Sequence, residues 1–144
     1  MAKPLQTELG IHADSLRIIG DARLADFQAL WKAGRWHTAV YIGGYALEEY
    51  LKCAICRALD SQQLPRVFEY HNLVSLLFFS GLQAKMTKEA AVYDSFIAVD
   101  GIWSDGMRYE DPNHPKYCDS TCREMDVWLN DTQKGVIPWL KKHL

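Results

Sequence analysis

The chain has 144 residues, 49% of them apolar and 24% charged, with a formal net charge of −2 at pH 7. That length fits one domain, able to bury roughly 70% of its unfolded surface without covalent staples. The slightly acidic balance excludes a broadly basic nucleic-acid-binding protein, so any RNA contact must be local. The longest apolar run, Leu76-Leu77-Phe78-Phe79, is too short to cross a bilayer.

From the N-terminus, Met1 to Leu9 has no continuous apolar stretch of the kind a secretory leader needs. The expectation is a cytoplasmic protein whose four cysteines are reduced thiols. Leu16, Ile19, Leu24, Phe27, Leu30 and Trp31 mark one face of a first helix over about 13–33, which Gly34 ends. Ala39, Gly43, Ala46, Leu47, Tyr50, Leu51, Ala54, Ala58 and Leu59 keep helical spacing through a second helix over about 36–60. The pair Gly43-Gly44 costs that helix stability and implies that another helix passes close by, in this chain or a partner. Pro65 falls in a loop. A short third helix over about 71–80 stops at Gly81, and Thr87 can cap a fourth over about 88–100.

Residues 101–114 lose periodicity, and a long connection of this kind is more often functional than a plain turn. A last helix starts either at Pro115, with proline in its favoured first position, or at a Thr121/Glu124 capping box. Pro138 should kink or end it near Lys134. The fold class expected is all-α: about five helices in an up-and-down bundle, a single domain over 1–144, with a long loop before the last helix.

The chemistry lies in that loop, Arg108-Tyr-Glu-Asp-Pro-Asn-His114. Arginine clamps phosphate through a planar fork of donors, and histidine moves protons near neutral pH. If the last helix begins at Pro115, His114 is its N-cap, where the dipole favours an anion and keeps the imidazole neutral as a base. A base for the ribose 2′-hydroxyl and a cation for the phosphoryl oxygens are the minimum set for metal-independent RNA cleavage. The plain alternative is a surface arginine among Asp105, Glu110 and Asp111 and a histidine in a turn.

Gly44-Tyr-Ala-Leu-Glu48-Glu-Tyr-Leu-Lys52 resembles the signature helix of the HEPN family, all-helical domains that dimerise and include metal-independent ribonucleases and toxins. Ala22-Arg-Leu-Ala-Asp26 with Gly34-Arg-Trp-His-Thr-Ala39, His71-Asn-Leu-Val-Ser-Leu-Leu77 and Trp103 to Tyr109 look like further parts of that pattern, so the likeness covers about 20–142. Ribonuclease members carry an arginine, four to six residues and a histidine near the last helix, and five residues separate Arg108 from His114. The resemblance implies Arg108 as the phosphate clamp, His114 as the acid/base and Glu48 as the acid that orients the arginine. It also implies a homodimer with a composite site, acting on RNA or a nucleotide in a toxin or defence system under an antitoxin or nucleotidyltransferase partner. Tyr109 stands where ribonuclease members often have a polar residue. Tyr117 lies three positions after His114, where several toxins have a modifiable tyrosine at two. Lys116 and Tyr117 join Tyr109 as supporting or ligand-binding candidates. The alternative reading is a non-catalytic dimerising adaptor with Arg108 as an anion anchor and Glu48 as its structural mate.

Cys53/Cys56 and Cys118/Cys122 have zinc-like spacings, yet on helices such thiols pack as small apolar groups, so neither metal nor cofactor is expected. His37 is expected to start the second helix and His71 to cap or pack near the third. Trp103, Tyr109 and Tyr117 are candidates for a base-stacking platform, with closure of the bundle end as the other role of Trp103.

Overall fold

The computed structural model describes residues 9–144, and the reading of the first residues as lacking a leader falls largely on 1–8, outside them. The described chain is mainly helical, with seven α-helices, two 3-10 segments and one small antiparallel sheet. Strand β1 (Leu9–His12) pairs with β2 (Gln63–Pro65), Leu9 opposite Pro65 and His12 opposite Gln63. Strands of four and three residues are too short to show alternation, so the sequence pattern reveals only helices. Among the described residues no helix is long and apolar enough to cross a membrane.

Helix α1 (Ala13–Lys32) starts at His12, whose Nδ1 accepts the Asp14 amide, and ends where Gly34 adopts a left-handed φ of 74°. Helix α2 (Trp36–Ala58) returns antiparallel to it. Every residue from Tyr50 to Cys56 is buried, so this half of α2 is surrounded rather than merely faced with apolar contacts. The glycine pair explains how neighbours come so close. A Cβ on Gly43 would stand 3.2 Å from both Phe27 and Leu129, and one on Gly44 would collide with the Trp103 indole. The close approach inferred from Gly43-Gly44 is therefore made within this chain. Tyr50 packs over Gly20 and donates its hydroxyl to Asp21, which Lys141 also meets at 3.2 Å.

Helix α3 (Leu73–Phe79) begins two residues later than expected, because Asn72 takes the cap and accepts the Ser75 amide at 2.9 Å. Gly81, at φ 76°, follows its end as predicted. A short helix α4 (Gln83–Thr87) precedes α5 (Ala90–Ile102). Thr87 does not cap α5: its hydroxyl donates back to Ala84 O inside α4. The last long helix, α6 (Asp119–Asn130), starts neither at Pro115 nor at a Thr121/Glu124 box. Cys118 is its N-cap, and the Thr121 hydroxyl donates to Lys116 O instead of capping. Nor does Pro138 end it. Helix α6 stops at Asn130, Asp131 accepts the Gln133 and Lys134 amides, and Pro138 is the third residue of a separate helix α7 (Val136–Lys141). A proline there removes an amide that has no helical acceptor anyway. The five expected elements are thus seven, because the segments 83–87 and 136–141 wind independently.

Candidate functional site

The connection from α5 to α6 is ordered around a 3-10 segment, Asp105–Tyr109. Met107 is buried at 1% exposure, and its carbonyl accepts a hydrogen bond from His37 Nε2 at 2.8 Å. Sinking Met107 turns Arg108 and Tyr109 outward. The Arg108 guanidinium lies 4.9 Å over the Tyr109 ring, and hydrogen bonds with Tyr109 and Tyr41 raise its already high pKa. Among the described residues no carboxylate lies within ion-pair distance of Arg108.

His114 is exposed in the turn that follows. It is not a helix N-cap, since four residues separate it from Asp119, so the α6 dipole does not act on it there. Its Nδ1 accepts the Lys116 amide at 3.1 Å, which leaves the proton of the neutral ring on Nε2. No hydrogen bond or ring contact joins Arg108 to His114 among the described residues. Lys116 is paired with Glu110 at 3.1 Å, and Glu110 also accepts the Tyr117 hydroxyl. Tyr117 is buried with its ring edge-to-face against His37, centroids 4.7 Å apart, and Trp103 is buried with its indole N–H donating to Tyr41 O. Of the expected stacking platform only Tyr109, 82% exposed, remains open to a base. Beside this loop is a cleft of about 320 Å³ lined by Arg35, His37, Asn113 and Tyr117.

Glu48 does not face Arg108. It is 1% exposed, and its two carboxylate oxygens are taken by Lys52 Nζ at 3.0 Å and His71 Nδ1 at 2.8 Å. The carboxylate can only accept, so His71 donates through Nδ1 and leaves Nε2 unprotonated in the neutral ring. His71 does not cap α3, since Asn72 does; its ring is held by Glu48 beside the helix start. Two tyrosines lie between this cluster and Arg108. Tyr41 is close enough to Arg108 to help raise its pKa, the Tyr41 and Tyr45 hydroxyls are 3.2 Å apart, and the Tyr45 and His71 rings meet edge-on with centroids 5.7 Å apart. Burial, then the Tyr41 hydroxyl and the charges of Glu48 and Asp105, push the Tyr45 phenol well above its ordinary pKa. Residues 41, 45, 48 and 52 follow one face of α2, a stripe that periodicity shows in the sequence once polar positions are read with the apolar ones.

All four cysteines are free, and no group of three or more metal-ligating side chains clusters among the described residues. Burial raises the Cys56 thiol to about 11 and Cys122 to about 12. Cys118, at the α6 N-cap, is lowered to about 7 by hydrogen bonds with the Ser120 and Thr121 hydroxyls. In comparisons with known proteins, no family model, no curated protein and no solved structure matches the chain.

Proposed function

We propose that the chain is a cytoplasmic HEPN-like helical domain that dimerises and cleaves single-stranded RNA without a metal, as the toxin or effector of a defence system. The observation that carries this reading is Arg108, an exposed cation on an ordered loop whose contacts are tyrosines rather than carboxylates. Such a guanidinium is available to a phosphate, with Tyr109 beside it for a base. His114, with its proton on Nε2, can donate a hydrogen bond to a phosphoryl oxygen. Two copies of the loop make the composite site, and an antitoxin or nucleotidyltransferase partner holds it in check. The experiment is cleavage of a labelled single-stranded RNA in the presence of a chelator. Wild type is expected to cut it, and Arg108→Ala and His114→Ala to lose most of the rate. Equal cutting by all three proteins, or a strict monomer in light scattering, would sink the composite site.

The placement of Glu48 favours a second reading. Its carboxylate is spent on Lys52 and His71 rather than on orienting Arg108, which suits a non-catalytic adaptor with Arg108 as an anion anchor. RNA binding that depends on Arg108, with no cleavage by the wild type, selects the adaptor.

A further inference from the structure

We propose that His71, held by Glu48, is the general base of this site, serving a nucleoside bound in the cleft at the start of α3. The inference rests on the ribonuclease reading and names a base that reading lacks, since His114 Nδ1 is occupied by the Lys116 amide.

Three observations carry it. The first is the pairing of a buried carboxylate with a half-exposed imidazole: Glu48 is 1% exposed and His71 42%. A carboxylate on Nδ1 fixes the ring's orientation and stabilises the imidazolium that forms when Nε2 takes a proton. Glu48 is itself held by Lys52, so it cannot swing away with its partner. The second is the cleft. His71 is on the wall of a cavity of about 390 Å³, with Tyr70, Asp100, Ser104 and Asp105 around it. Its lining is rich in acceptors, which suits the hydroxyl and amino donors of a nucleoside. The Tyr70 hydroxyl is buried with no hydrogen-bond partner, the only such side-chain atom among the described residues. A buried polar group of this kind is normally satisfied. The third is the row Tyr41–Tyr45–His71 along one face of α2, with Arg108 near enough to its Tyr41 end to feel that phenol, which puts a phosphate anchor and the base on one side of the helix. Tyr41 and Glu48 are seven residues apart, roughly 10 Å along the helix axis. Arg108 therefore holds a phosphate neighbouring the scissile one.

In the step itself, His71 Nε2 removes the proton from a ribose 2′-hydroxyl. The 2′-oxygen attacks the adjacent phosphorus, the bond to the 5′-oxygen breaks, and a 2′,3′-cyclic phosphate forms. The departing 5′-oxygen takes a proton from water, and the His71 imidazolium gives its own proton to the hydroxide left behind.

The test is chemical rescue. Wild type, His71→Gly and His71→Gln are assayed on a single-stranded RNA with and without free imidazole. Both variants are expected to cleave about 100-fold slower or worse, with added imidazole restoring the glycine variant and not the glutamine one. Nitrogen-15 spectra of the wild-type ring should show Nε2 as the unprotonated nitrogen at neutral pH or above. If wild type cleaves and either variant matches it, or if imidazole restores nothing to a folded glycine variant, the inference falls while the ribonuclease reading stands. An Nε2–H tautomer in the spectra overturns it as well. No cleavage by wild type removes both. Circular dichroism checks the fold of each variant, and if glycine unfolds the chain, the glutamine rate and the tautomer decide.

Discussion

The Glu48 cluster and the Arg108–Tyr117 loop hold the same kinds of side chain in opposite ways. Glu48 and Lys52 are removed from water and satisfied by each other and by His71. In the loop, Glu110 and Lys116 pair in solvent, while Arg108 and His114 project from a backbone that two buried residues, Met107 and Tyr117, tie to His37 of α2. A buried ion pair is often no more stable than an apolar replacement, whereas breaking one is costly. An exposed pair contributes little either way. The cluster is thus where stability and chemistry are coupled, and the loop is where residues can change function without disturbing the fold.

The largest effect that would test this contrast comes from Lys52→Met, which leaves the buried Glu48 with His71 alone. It is expected to cost about 3 kcal/mol, read as a lower urea midpoint, while Arg108→Ala leaves the midpoint where it was. Equal midpoints for the two variants would break the comparison. Gly44→Ala comes next: its methyl group collides with the Trp103 indole that closes the α2 face, and roughly 1–3 kcal/mol should be lost in the same assay. On the binding side the order reverses. Arg108→Ala should weaken RNA binding and reduce the slope of log affinity against log salt by about 0.7, the value for one phosphate contact on a single strand. Lys52→Met, measured where it is folded, should leave that slope unchanged. The smallest effect is chemical. Native Cys118 should alkylate with a midpoint near pH 7, rising as the thiolate forms, whereas the buried Cys56 and Cys122 stay protonated and protected. Mass spectrometry after a pH series of iodoacetamide labelling distinguishes them.

Arg108 and His114 stand out in the sequence because charge and imidazole in an aperiodic loop are visible without a fold. Their exposure was also within reach, since Pro112 and the run of polar residues keep that segment out of any core. The bond from the Lys116 amide to His114 was not, because it depends on α6 starting at Asp119 rather than at Pro115. His71 hides for a different reason. Beside Asn72, an efficient cap, it reads as part of a helix start, and its distinguishing partner is 23 residues away. Trp103 reads equally well as platform or as closure of the bundle end and Tyr117 reads as platform, and burial takes both out of the platform.

What the sequence by itself determined is the helical class, the extents of α1 and α2 to within about two residues, and the left-handed turns at Gly34 and Gly81. Apolar spacing and glycine's freedom at positive φ act over a few residues, so they can be read locally. The partner of Glu48, the tautomer of His71 and the row of tyrosines joining them to Arg108 exist only in the folded chain. They depend on α2 lying between α3 and the 3-10 segment, and side chains with no local preference for one another meet only when packing brings those elements together.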